Sequence, residues 1–296
     1  MLAALCAAAS LAAAQVTAGD ALPTAATPAE RDLWAKAEAA LVRVNAAGAS
    51  DEAARASAEE AAHAFETAAA ASSSPGPAWL RAARVRKASA ETAGVRAAAV
   101  RGGPAAPFLE AAAREAQVCA DDARRAWKLA APEASLAAQA GKPSTDVAAL
   151  VSEAAAEPFY LEAVCAGIWA RAQGVTPLLE RAAELRAALA RVAALAPELD
   201  EAGPDRELGR LLAAIPAYAG GELDSAKAHF ERALKIAPVA RTRVAYAEGV
   251  AVKIQDRKLF QDQLALVVAS ADDKSAIADK ARALLQRIDE LFGKAH

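Results

Sequence analysis

The chain is 296 residues long with a net charge of −3, enough to bury a substantial core but without the basic excess that draws nucleic acid or anionic membranes. Its residues are 55% apolar yet only 4% aromatic, so alanine carries most of the apolar share, and alanine is the best helix former. No run of alternating β-branched and aromatic residues reads as a strand, which excludes the β classes and predicts an all-α protein.

The chain opens with MLAALCAAASLAAAQVTAGD, an apolar stretch of small residues too short to span a bilayer. Ala12 and Ala14, or Val16 and Ala18, suit the −3 and −1 positions of a signal-peptidase cut, so residues 1–18 are expected to be a signal peptide, although a basic n-region is missing. A lipid anchor at Cys6 is disfavoured, because Leu5 stands where a small residue is normal and only five residues precede it. Residues 19–29 read as a Pro/Thr/Ala linker, and residues 30–296 as one helical domain.

Within that domain, breaks are expected at SSSPGP (72–77), RGGPAAP (101–107), QAGKPST (139–145), Glu157-Pro158, GVTP (174–177), EAGP (201–204), AGG (219–221) and AP (237–238). Glycine after a helix and proline in its first turn supply stop and start signals. The spacing suits helical hairpins of roughly 30–45 residues, the range of helical repeats. Ala61, Phe65 and Ala68 share one helix face, and Trp79, Ala82 and Ala83 begin the next helix. Arg81, Arg84, Arg86, Lys87, Arg96 and Arg101 form a basic excess that reads as a solvated face, with docking of an acidic partner as the alternative. Asp121 and Asp122 suit a solvated face as well.

Cys119 and Cys165 leave two readings open. Two thiols in an exported chain can pair, but each sits in an apolar helical stretch where a free cysteine packs as a small hydrophobe, and the second reading is preferred. Chemistry-bearing motifs are missing. His63, His229 and His296 are far apart, and HExxH, P-loop, GxSxG and GxGxxG patterns do not occur. The acidic break at Glu198, Asp200 and Glu201 lacks the pattern of a calcium loop. No catalytic residue, metal ligand or cofactor is expected.

The clearest repeat is GGELDSAKAHFERALKIAP, from Gly220 to Pro238. Gly221 makes a turn and Leu223 leads into a helix. Ala226, Phe230 and Ala233 lie on one face, and Pro238 follows the end. These offsets are those of the second helix of a tetratricopeptide (TPR) unit. Tyr160, Ala163 and Val164 start a similar helix over 158–173, and Leu185, Leu189 and Pro197 repeat the ending. A last unit runs from Val244 through Phe260, with a closing helix over about 276–292. One hairpin cannot bury its apolar stripe, so stacking is required. The expected architecture is a right-handed superhelical stack of TPR-like hairpins, best formed over 158–292.

Four stretches carry a family resemblance. They are Tyr160-Leu161 leading to Trp169; Gly203-Pro204-Asp205-Arg206 leading into Leu208-Gly209-Arg210-Leu211; the helix with Phe230 and Ala233; and Tyr246-Ala247-Glu248 with Gln255-Asp256-Arg257 and Phe260. From about residue 158 the chain resembles the T-component family of tripartite ATP-independent periplasmic (TRAP) transporters, which are TPR-like periplasmic proteins and often lipoproteins. The resemblance implies a non-catalytic periplasmic accessory that docks the periplasmic substrate-binding component, with a hydrophobic small molecule as a further ligand and homo-oligomerisation left open. Of the polar residues in these stretches, Arg206, Tyr246, Glu248, Gln255, Asp256 and Arg257 read first as pairing and helix-capping groups, with direct partner or ligand contact as the alternative. A general TPR scaffold of the cell envelope is the competing function.

Overall fold

The computed structural model describes residues 27–44, 51–99, 105–270 and 276–293. Among the described residues there are fourteen α-helices and no strand. The expected signal peptide, Cys6 and most of the 19–29 linker lie outside them. The chain divides into two compact units, at Pro177 and Leu178.

The first unit holds α1 (Pro28–Val44), α2 (Asp51–Ala71), α3 (Gly76–Ala99), α4 (Ala106–Ala130), two short helices, α5 (Pro132–Gln139) and α6 (Ser144–Ala149), and α7 (Glu153–Gln173). Helix α1 starts earlier than a linker to residue 29 allows, because Thr27 and Glu30 form a capping box. The Thr27 N–H donates to Glu30 Oε2 at 2.5 Å, and the Glu30 N–H donates to Thr27 Oγ1 at 3.2 Å. The Ser73 N–H also donates to Glu30, tying this end to the α2–α3 connection. Bonds from Thr27, first, and then from Ser73 and Ser72 hold the Glu30 carboxyl down at about 2.

Alanine lets these helices approach closely, and a few large side chains fill what remains. Ala37, Ala40, Ala58, Ala61, Ala62 and Ala82 surround Phe65 and Val85, with Trp34 edge-on to Phe65 at 5.5 Å. Ala61, Phe65 and Ala68 are all buried, as their spacing predicts, and so are Ala82 and Ala83. A buried phenylalanine contributes about 1.5–3 kcal/mol and an alanine far less, so Phe65 anchors this layer.

The basic excess on α3 is not a solvated face. Arg81, Arg86 and Lys87 are buried, because α3 packs against α2, α4 and α7 at once. Each cation has an acidic partner. Arg81 meets Glu38 at 3.0 Å, Arg84 grips Glu157 through two bonds of 2.6 Å, Arg86 meets Glu66 at 2.7 Å and Glu115 at 3.0 Å, and Lys87 meets Glu91 at 3.0 Å. The side chain of Arg96 and all of Arg101 fall outside the described residues. Asp122 is likewise buried rather than solvated.

Cys119 and Cys165 form a disulfide that joins α4 to α7, with Cα atoms 5.9 Å apart and both residues shut off from solvent. This replaces the preferred reading of two free thiols: each cysteine faces inward on its own apolar stripe, and the stripes meet. Helix α7 also runs through the break expected at Pro158, since it starts at Glu153 and takes the proline into its second turn at the loss of the bond its N–H would have made. The break expected at 174–177 shrinks to Gly174, whose φ of 117° is open to glycine alone.

Helix α8 (Val175–Leu195) carries the chain across the division point. The second unit continues with α9 (Leu199–Ala214), a 3₁₀ turn at Ala217–Ala219, α10 (Leu223–Ile236), α11 (Ala240–Tyr246), a π-helical stretch at Ala247–Ala251, α12 (Arg257–Ser270), α13 (Ala276–Gln286) and α14 (Ile288–Phe292). Helices α9 and α10 form a tight hairpin. Gly221 is required at its turn, since a Cβ there would lie 1.8 Å from the Ile215 carbonyl oxygen. Ala226, Phe230 and Ala233 are wholly buried, as the repeat spacing predicts. A second core gathers Val244, Ala247, Ala251, Phe260, Leu264 and Val267 beneath α13. No helix among the described residues is long and apolar enough to cross a membrane.

Candidate functional site

The six residues singled out by the sequence all belong to the second unit. Arg206 is 2% exposed and works on the backbone at the start of α9. There Asp200, Glu201 and Ala202 form a left-handed turn, with φ of 51°, 54° and 59°. Each non-glycine residue in that conformation costs about 1–2 kcal/mol, so the turn needs outside support. Arg206 Nη1 donates to the carbonyls of Asp200 at 3.1 Å and Glu201 at 3.2 Å, and Arg206 Nη2 meets the Asp200 carboxylate at 2.8 Å. Arg241, from α11, closes the other side, bonding the Asp200 carbonyl and carboxylate at 2.7 Å and Glu201 at 2.9 Å. The acidic break is thus committed to two guanidinium groups.

Next along α9, Asp205 is buried against α10. His229 Nδ1 lies 2.6 Å from its Oδ1, and Arg232 donates to the same oxygen at 3.0 Å. Burial alone would raise the Asp205 carboxyl, but the bonds from His229 and Arg232 outweigh it and hold it below the usual range. One turn further, Gly209 leaves room for Phe230, since a Cβ at Gly209 would sit 2.9 Å from two ring carbons.

Tyr246 is buried and stacks on Phe230, with centroids 5.4 Å apart and planes 20° from parallel. Its hydroxyl donates to Glu231 Oε1 at 3.2 Å. Burial, and then the Glu231 carboxylate, push the phenol above its ordinary range. Beyond Tyr246 the helix widens into its π stretch, a form often found where geometry serves function. Glu248 lies within it, half-exposed, and pairs with Lys280 of α13 at 2.7 Å.

The chain then turns sharply. The Asp256 N–H donates back to the Ala251 carbonyl, Gln255 takes a left-handed φ of 57°, and Asp256 Oδ1 accepts from the Leu259 N–H at 2.8 Å to cap α12. Arg257 crosses to the end of the chain, donating to the Gly293 carbonyl and to Asp289, both at 2.7 Å. Glu248 and Arg257 therefore have separate partners, not each other, because the widened turn carries them toward α13 and α14 respectively. Gln255 and Asp256 are exposed, Glu248 and Arg257 half-buried, and Arg206 and Tyr246 lie beneath the surface.

Arg241, Lys280, His229 and Arg232 complete these networks and stand outside the six. Nothing in their local sequence marks them, since each is an ordinary polar residue on an amphipathic helix. Among the described residues, no group of three or more His, Cys, Asp or Glu is placed to hold a metal ion.

Two units of packed helices, a disulfide joining α4 to α7 and polar groups spent on turns and caps define a helical-hairpin protein. A profile of the TRAP transporter T-component matches residues 112–292, about three fifths of the sequence, and the chain belongs to that family. The match starts within α4, well before residue 158, where the sequence resemblance begins. Comparison with curated proteins gives no significant match.

Proposed function

We propose that the chain is a non-catalytic periplasmic accessory of a TRAP-type transporter that docks the transporter's substrate-binding component. Membership of the T-component family carries this reading. The buried Cys119–Cys165 disulfide supports export, because disulfides persist in oxidising compartments such as the periplasm. Within this proposal Glu248, Gln255, Asp256 and Arg257 present the docking face, and Arg206 and Tyr246 hold the underlying helices in position. A hydrophobic small molecule is the second ligand of the same reading. Partly buried Leu284, Leu285, Ile288, Leu291 and Phe292 beside the α12–α13 core offer it apolar contact.

The test is chemical cross-linking in periplasm with the mature chain as bait. Recovery of the substrate-binding component, weakened by the paired variant Asp256→Ala and Arg257→Ala, is expected. Repeated recovery of other envelope proteins alone would favour a general scaffold. Native mass spectrometry of the purified chain reads the ligand directly as an added mass.

A further inference from the structure

Asp122 sits in the middle of α4 with 0% exposure, and its Oδ2 has no hydrogen-bond partner. Its Oδ1 accepts one bond from Arg125 Nη1 at 3.1 Å. Arg125 is largely exposed, and its guanidinium rests over the Trp79 ring of α3 at 4.5 Å. The surrounding charges are committed elsewhere. On α3, Arg86 is held by Glu66 of α2 and Glu115 of α4, and Lys87 pairs with Glu91. On α4, Asp121 meets Arg124 at 2.8 Å. On α7, Glu162 accepts from Arg124 and from the Trp127 indole N–H.

A carboxylate cut off from water with one oxygen unpaired is costly, and protonation removes that cost. Burial, first, and then the Glu66 carboxylate push the Asp122 carboxyl up to about 7, with Arg125 and Arg86 pulling against them. We propose that Asp122 is a proton-operated latch: protonated, it lets α4 close on α3 and on Glu66 of α2; ionised, it loosens that packing. This goes beyond the transporter role and would make the first unit responsive to pH in the near-neutral range.

The sign follows from linkage. The folded-state value lies above the ordinary 3.8, so the folded chain binds more protons than the unfolded chain. The stabilisation is fully present below about pH 4 and is lost as pH rises through about 7. The full loss corresponds to up to about a thousand-fold in the folding equilibrium.

The experiment is denaturant unfolding of the full chain, followed by tryptophan emission at a series of values from about pH 5 to pH 8.5. The wild-type folding constant is expected to fall from pH 5 to about pH 7 and to level off above it, while Asp122→Asn shows no such fall. A flat wild-type curve, or the same fall in Asp122→Asn, overturns the proposal. A carbon-13 titration of the Asp122 carboxyl in the wild-type chain needs no variant. A midpoint near 7 supports the latch, and a midpoint at or below the ordinary aspartate value overturns it.

Discussion

Phe230 and Gly209 form one packing unit. The ring reaches its buried position because Gly209 has no Cβ, and it supports Tyr246 by stacking. Truncation of Phe230 to alanine is expected to cost about 3–5 kcal/mol in denaturant unfolding, as for other buried aromatics. Gly209→Ala drives a methyl into the ring and should cost about 1–3 kcal/mol. The two changes share a cause, so they should not add. Phe230→Leu is expected to absorb part of the Gly209→Ala loss, and a double-mutant cycle with zero coupling would show that the contact is not made. The sequence places Phe230 in the core, because Ala226, Phe230 and Ala233 fall on one helical face. It is silent on Gly209, whose role depends on a ring twenty-one positions away.

At the level of elements, turns were harder to read than faces. Pro158 looks like a helix start but lies inside α7, where the buried face of the surrounding residues outweighs the one bond the proline forfeits. Thr27-Pro28-Ala29-Glu30 is a capping pattern visible in the sequence, yet the linker composition around it masks the signal. The break expected at 201–204 takes the form of a left-handed turn at Asp200–Ala202, whose three residues are not glycine and are held there by Arg206 and Arg241. Gln255 is the simpler case. Its φ of 57° places a side chain where glycine is favoured, and the bond its Nε2 donates to the Val252 carbonyl at 2.8 Å is exposed, so water replaces it when the side chain is removed. Gln255→Gly should therefore raise stability by about 0.5–1 kcal/mol in thermal or denaturant unfolding. The same variant removes a residue of the proposed docking face. A chain that becomes more stable but cross-links less would separate the two roles of that position, and a loss of stability would show that the bond to Val252 outweighs the backbone strain.

For the whole molecule, helical class and family were legible because alanine content, 3.6-residue periodicity and the Tyr246–Phe260 stretch act locally. The pairing of charges was not, because it depends on which helices meet: α3 looks solvated until α2, α4 and α7 supply Glu66, Glu115 and Glu157. The disulfide was hidden for the same reason. It closes a loop of 46 residues within the first unit, which in the chain-entropy account stabilises by about 4 kcal/mol through the unfolded state. All four tryptophans, Trp34, Trp79, Trp127 and Trp169, also lie in that unit, so their emission follows its unfolding. Replacement of Cys119 and Cys165 by alanine together is expected to lower the tryptophan-monitored stability by about 2–4 kcal/mol, with the helical circular dichroism of the folded chain retained. The oxidised wild-type chain treated with reductant under native conditions should change slowly, because both sulfurs are shut off from solvent and reduction must wait for α4 and α7 to part. If the double variant matches the wild type, packing and the bonds from Arg124 and Trp127 to Glu162 hold α4 against α7 without the disulfide.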